Sequence, residues 1–177
     1  MLFHRESREQ RFRKLARRVA EVRRNDEADA RRRSQIAEKR VQALLMLWEI
    51  CRDFADHLNR HIEQEQVNLA PPDPPADINE DNSAQLLLSL RGRVLLLDIR
   101  IPSDLVSSDN FRKPYILEGE VRFFNQKLLD EERVEEHAVF FCHQEGPRGA
   151  WLYWNSRSYA SGRLDEDYLA GLLEQIL

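Results

Sequence analysis

Residues 85–102 read QLLLSLRGRVLLLDIRIP, and apolar side chains recur at every second position on both sides of Arg91-Gly92. Residues two apart share one face of a β-strand, so each half predicts a strand with one apolar face. Asp98 and Arg100 fall on the opposite face of the second half. The stretch therefore predicts two strands joined near Gly92. The residues of the shared apolar face are Leu86, Leu88, Leu90, Leu95, Leu97, Ile99 and Ile101.

The remaining C-terminal sequence extends this pattern into a sheet. Further strands are predicted in PYILEGEVRFF (114–124), from Val134 to His143, and in AWLYWN (150–155). The last segment, LDEDYLAGLLEQIL (164–177), has apolar residues at helical spacing and three acids in its first turn, which predicts a helix. Short connections favour antiparallel neighbours, so we expect a five-stranded antiparallel meander. The order of a helix and then a curved meander is similar to cystatin-like and NTF2-like folds, and this implies no activity.

Upstream of the sheet, residues 37–62 predict an amphipathic helix. Eight apolar residues follow one another there at intervals of four and three: Ala37, Val41, Leu44, Trp48, Cys51, Ala55, Leu58 and Ile62. A second apolar row, Ala43, Leu47, Ile50 and Phe54, runs beside it. Two adjacent rows predict a helix covered on more than one side, by the sheet and another helix or by a second subunit.

These patterns predict an α+β fold in four parts. Residues 1–35 form a basic helical arm prone to coiled-coil pairing, and 36–63 form the amphipathic core helix. A proline-rich linker or loop occupies 64–83, and 84–177 hold the antiparallel sheet and the C-terminal helix.

The charge of the chain is divided between its two ends. Residues 1–40 carry 14 Lys and Arg against 7 Asp and Glu, a net charge of +7, whereas the remainder carries a net charge of −11. Arginine outnumbers lysine 23 to 4 along the whole chain, so the choice of arginine in the arm is no sign of phosphate recognition. The arm is thus a solvated helix that pairs with another helix, or a segment that binds nucleic acid. Its sparse apolar face disfavours an anionic membrane surface, and its interleaved acids disfavour a transit peptide.

Two sets of arm residues carry these alternatives. The seam expected to bind a protein partner comprises Phe12, Leu15, Val19 and Val22, followed in the core helix by Val41, Leu44 and Trp48. The residues that could bind phosphates are Arg11, Arg13, Lys14, Arg17, Arg18, Arg23 and Arg24. Pairs such as Glu9 with Arg13 and Glu21 with Arg24 would support the helix.

Catalytic signatures are weak throughout the chain. Glycine-rich phosphate loops and a nucleophile elbow are absent, and the two cysteines form no CxxC pair. Asp98 with Glu120 and Arg122 has the outline of a metal-dependent nuclease, although alternating charge on the wet face of a sheet produces the same pattern. The sequence predicts no catalytic residue, no metal and no cofactor.

Three further groups of residues allow either an ordinary structural role or a functional role. His57 and His61 stand at i, i+4 on the core helix, and His143 with Glu145 has the spacing of a deaminase half-motif without its cysteines. Both pairs are read as ordinary boundary residues. The third group, the aromatic cluster Trp151, Tyr153 and Trp154, is either core or ligand surface.

The function that fits best is that of a non-enzymatic interaction protein, a subunit, adaptor or assembly factor. Its N-terminal helix would bind a protein partner or a second copy of the chain. The alternatives are a nucleic-acid-associated protein and a small-ligand or nuclease-like enzyme with a site in the sheet. No apolar run reaches 18 residues, which predicts no membrane span, and the low cysteine content favours the cytoplasm.

Overall fold

The computed structural model describes residues 8–75, 83–102, 111 and 113–177. The chain divides into two compact units, Met1–Glu38 and Lys39–Leu177. The first helix, α1 (Arg8–Asn59), contains this boundary and forms all of the described first unit. It contains neither proline nor glycine, in agreement with the predicted long charged helix. None of the described helices is both long enough and apolar enough to cross a bilayer.

The part of α1 that belongs to the second unit buries one stripe against the sheet. Its buried residues recur at intervals of one, three and four, and they are Ala43, Leu44, Leu47, Trp48, Cys51, Phe54 and Ala55. The helix ends at Asn59, three residues before the predicted end. The Asn59 side chain accepts a hydrogen bond from the Val67 amide (2.7 Å) and donates one to the Val67 carbonyl (3.0 Å), which fixes the turn that follows.

Within the described residues the sheet has seven antiparallel strands in sequence order, not the five that were predicted. Its strands are β1 (Asn68–Ala70), β2 (Ser83–Leu90), β3 (Arg93–Arg100), β4 (Leu117–Phe124), β5 (Glu135–Cys142), β6 (Ala150–Asn155) and β7 (Ala160–Arg163). The two strands missed from the sequence are the edge strands. β1 lies in the segment expected to be a linker, and β7 carries no apolar alternation.

The hairpin between β2 and β3 has a two-residue turn. Leu90 and Arg93 face each other across the strands, and Arg91 and Gly92 both have positive φ, 47° and 75°. Two central residues with positive φ are the signature of a type I′ turn, which suits the right-handed twist of the flanking strands. The turn therefore sets the register that the leucine pattern requires.

One face of the sheet packs beneath α1 and forms the main core. The indole nitrogen of Trp151 on β6 donates a 2.8 Å hydrogen bond to the carbonyl of Ala43 in α1, which joins helix and sheet. Gly119 on β4 alternates with buried Leu117 and Val121 and so lies on this face. A Cβ there would overlap the Asp98 carbonyl and lie 3.0 Å from the Ile99 Cα. Buried residues of this face include Leu86, Leu88, Leu95, Leu97, Ile99, Leu117, Val121, Phe123, Val139, Phe141 and Trp151.

The opposite face is apolar at one end and charged in the middle. Over β5 and β6 it carries a second cluster of buried residues, Phe111, Tyr115, Phe140, Cys142, Ala150 and Leu152. The rings of Phe111 and Phe140 stack at 4.3 Å. This second cluster explains why β5 is apolar on both faces.

The described part of the chain also contains helices α2 (Gln126–Asp130) and α3 (Glu166–Glu174). Asp165 caps α3 by accepting a 3.0 Å hydrogen bond from the Tyr168 amide, and acidic residues follow in its first turn. The helix buries Leu169, Leu172 and Leu173, as its predicted apolar stripe requires.

Candidate partner-binding surface

The described part of the arm, residues 8–35, is exposed at every position. Its four large apolar side chains are also exposed: Phe12 by 59%, Leu15 by 55%, Val19 by 60% and Val22 by 55%. Scattered exposed apolar residues are normal on protein surfaces, but these four are spaced three, four and three apart on a helix. They form one continuous strip, which we call the arm seam.

The charged side chains around the arm seam contact one another along the helix but do not cover the apolar side chains of the seam. Arg13 pairs with Glu9 at 2.7 Å and Arg23 with Glu27 at 2.8 Å, both across one helical turn. Arg24 donates to the carbonyl of Ala20 at 3.3 Å. These side chains remain largely in water, where such pairs contribute little to stability. The arm seam therefore has no apolar cover within the described first unit.

The predicted continuation of the seam in the core helix lies in a different environment. Leu44 is 1% exposed and Trp48 is 7% exposed, so both belong to the core under α1. The Trp48 indole donates to the Pro71 carbonyl at 3.2 Å, and the Arg52 guanidinium lies 4.9 Å from its ring. Val41, in contrast, is 38% exposed. The domain's own core thus accounts for Leu44 and Trp48.

The predicted phosphate-binding residues are all exposed along the arm. They are Arg11, Arg13, Lys14, Arg17, Arg18, Arg23 and Arg24. Glu9 and Glu27 are already paired with Arg13 and Arg23, so part of the positive charge of the set is compensated within the helix.

The candidate nuclease residues do meet on the charged part of the second sheet face. Asp98 and Glu120 are direct cross-strand partners on β3 and β4, and both are half-buried. Glu120 contacts Arg122 and lies 3.9 Å from Arg100, while Arg122 lies 3.8 Å from Glu136. Arginine side chains thus compensate the Glu120 carboxylate. Among the described residues, no group of three His, Cys, Asp or Glu could hold a metal ion.

The histidine pairs do not form metal sites either. His57 contacts Glu166 through Nδ1, and His61 is exposed. Glu145 is paired with Lys113 at 2.8 Å, and the buried Nδ1 atom of His143 has no hydrogen-bond partner within the described ranges. Burial and the nearby charge of Lys39 lower the pKa of His143.

The aromatic cluster of β6 is divided between the two faces. Trp151 is buried under α1, and Tyr153, on the same face, stacks on Tyr168 of α3 at 4.2 Å. Trp154 lies on the other face in edge contact with Tyr159. Trp151 and Tyr153 therefore contribute to packing of the helices.

A buried polar group that sequence reasoning missed lies beside this stack. His137 on β5 accepts a 2.8 Å hydrogen bond from the Asn155 amide at Nε2, which leaves Nδ1–H to donate to the Tyr168 hydroxyl at 2.9 Å. Burial lowers the pKa of His137, and burial raises that of Tyr168, so both are neutral near pH 7. His137 alternates with Val139 and Phe141, and this period could have placed it on the core face.

The two cysteines are also packing residues. Burial raises the pKa of Cys51 to about 12 and that of Cys142 to about 11. Both stay protonated at neutral pH, and a protonated thiol is a poor nucleophile.

Comparisons with protein-family models, curated proteins and solved structures found no match for this chain.

Proposed function

We propose that this protein is a non-enzymatic interaction protein, which binds a protein partner or a second copy of itself through its N-terminal helix. The observation that supports this proposal is the arm seam, an ordered apolar strip more than half exposed at each of its four positions. Covering such a strip with another helix removes it from water, and this is how amphipathic helices associate.

The size of the arm seam sets the strength of the interaction. Full burial of a leucine, valine or phenylalanine side chain is favourable by about 1.5–3 kcal/mol, and slightly more than half of that remains to be gained here. Four side chains then supply about 3–7 kcal/mol. This corresponds to dissociation constants from about 10 μM to a few millimolar before the cost of association is subtracted, so charged contacts or further surface must strengthen the complex.

Differential capture with the full-length protein tests the proposal. The tagged chain, the seam variant Leu15→Ser/Val19→Ser, and the control Leu45→Ser/Leu129→Ser are expressed in the source cells, and bound proteins are quantified. The control removes comparable apolar side chains that are also exposed, at 39% and 42%, but lie in the second unit. We expect at least ten-fold loss of a bound protein, or of a dimer in light scattering, with the seam variant alone. Unchanged association in the seam variant would refute the proposal.

Binding of nucleic acid by the arm is the alternative that its net positive charge favours. Such binding would weaken steeply as salt rises, since it releases counterions. Retention on immobilised duplex DNA at low and moderate salt measures this. Retention that is equal in the wild-type chain and the seam variant would support this alternative over the proposed function.

A further inference from the structure

The residues that flank the arm seam indicate what kind of helix can cover it. In heptad positions, Phe12 and Val19 take position a, while Leu15 and Val22 take position d. The flanking g and e positions within this span are Arg11, Arg18, Arg23 and Ala16. Three of the four positions that would face a partner's charges are therefore arginine, and all three are exposed.

The charge of the surrounding segment has the same sign. Residues 8–24 contain eight Arg and Lys and two Glu, a net charge of +6. Arg13, outside the flanking rows, is paired with Glu9, and Arg23 is paired with Glu27, which lies beyond this segment. The rows beside the arm seam thus keep a positive excess after the pairs within the helix are counted.

A second copy of the chain would be a poor occupant of this surface. Parallel pairing places Arg18 opposite Arg23 of the second copy, and antiparallel pairing places Arg18 opposite Arg18 of the second copy. An antiparallel pair would also bring Glu9 toward Arg23, but both already have partners within the helix, Arg13 and Glu27 respectively. Like charges at these positions weaken a coiled coil and decide which partners it accepts.

We propose that the arm seam binds an acidic amphipathic helix of another protein, with apolar residues at its a and d positions and Asp or Glu at e and g. This inference rests on the proposed function and names the partner's chemistry. Carboxylates at e and g would meet Arg11 and Arg18 on one side of the apolar strip and, in exchange for its pair with Glu27, Arg23 on the other, which supplies the charged contacts that the short seam requires. Nucleic acid would engage the arginines but leave the apolar strip uncovered.

Two synthetic peptides test the charge preference directly. Each has four heptads with Leu at a and d; one carries Glu at e and g, the other Lys. Fluorescence anisotropy with the full-length chain should show binding of the Glu peptide and at least ten-fold weaker binding of the Lys peptide. Equal binding of the two peptides, or binding of neither at millimolar chain, would overturn the inference.

Two matched arginine double variants test which arginines contribute to binding of the Glu peptide. Arg18→Ala/Arg23→Ala removes two flanking charges, whereas Arg17→Ala/Arg24→Ala removes the same charge from f positions that point away from the seam. Two lost e/g contacts should weaken binding of the Glu peptide about five-fold, while the f-position variant should stay within about two-fold. Equal losses would overturn specific pairing and indicate unspecific attraction, as expected for nucleic acid.

The outcome also separates this inference from the proposed function. If Leu15→Ser/Val19→Ser abolishes a homodimer seen by light scattering, the function stands and the acidic partner is overturned. If the seam variant changes neither peptide binding nor capture, the proposed function fails as well.

Discussion

The same substitution at two positions of α1 should lower the stability of the fold strongly at one position and hardly at the other. Leu44→Ala truncates a side chain that is only 1% exposed, in the core between α1 and the sheet. Leu15→Ala truncates one that is 55% exposed in the arm. Both replace leucine by alanine in the interior of a helix, so the change in intrinsic helix propensity is the same. The difference between the variants therefore reports the burial alone.

The expected magnitudes follow from that burial. Truncation of a buried leucine to alanine costs about 2–5 kcal/mol, because burial is lost and a cavity remains. For Leu44 we expect about 3 kcal/mol, since its neighbours Ala43, Leu47 and Trp48 on the same helix are also buried. For Leu15 we expect a change within about 0.5 kcal/mol, as for other surface substitutions.

Urea unfolding followed by tryptophan fluorescence measures both variants. Trp48, Trp151 and Trp154 all belong to the unit Lys39–Leu177, so the signal reports its unfolding and not local melting of the arm. With a urea dependence of about 2 kcal/mol per molar, a loss of 3 kcal/mol lowers the midpoint by about 1.5 M. The Leu15→Ala midpoint should shift by about 0.25 M or less.

Two results would refute this reasoning. If Leu44→Ala costs less than about 1 kcal/mol, the stripe on α1 is not a packed core. If Leu15→Ala shifts the midpoint as far as Leu44→Ala does, the arm seam contributes to the folded domain. A repeat at ten-fold higher protein concentration separates the second case from self-association, which alone makes the midpoint depend on concentration.

Two further perturbations test other parts of the sheet. Burial lowers the pKa of His137, with a smaller opposing effect of Glu135, so the unfolded chain binds a proton more readily; stability should be full above about pH 6.5 and fall as pH decreases through that value. Urea midpoints between pH 5 and 8 should show this decrease, and His137→Gln should reduce its slope, with the part due to His143 remaining; an identical slope in the variant would contradict the buried neutral imidazole. Gly119→Ala should cost about 1–3 kcal/mol in the same assay, because its methyl group would overlap the Asp98 carbonyl, and an unchanged midpoint would contradict that close approach.

The parts of the fold that bury side chains could be predicted from the sequence. The buried residues of 86–99 recur at every second position because one face of β2 and β3 packs under α1, and the stripe from Ala43 to Ala55 repeats at helical spacing for the same reason. Burial selects residue type, so periodicity records it.

The edge strands show no such periodic pattern in the sequence. β1 has three residues and β7 has four, and they bury no side chain completely. Their backbone hydrogen bonds hold them to the sheet, and backbone bonds impose little on side-chain identity. The apolar cluster on the second face over β5 could not be predicted from the sequence either, because Phe111 and Tyr115 join it from a connection with no periodic pattern.

For the candidate site, the sequence located the arm seam but could not tell which of its predicted positions a partner can reach. Leu44 and Trp48 continue the same apolar spacing as Val41, yet they are buried in the domain core. Period alone does not distinguish a helix face that packs on its own sheet from one that awaits another molecule.

The short edge strands have a consequence for aggregation. An exposed sheet edge is a template onto which a strand of another chain can add, and long flat edges promote fibre formation. Here β1 offers three residues and is followed by Pro71 and Pro72, which have no amide hydrogen to donate, while β7 offers four. Such edges support few intermolecular bonds. The two short edges therefore give another chain little backbone onto which to add a strand.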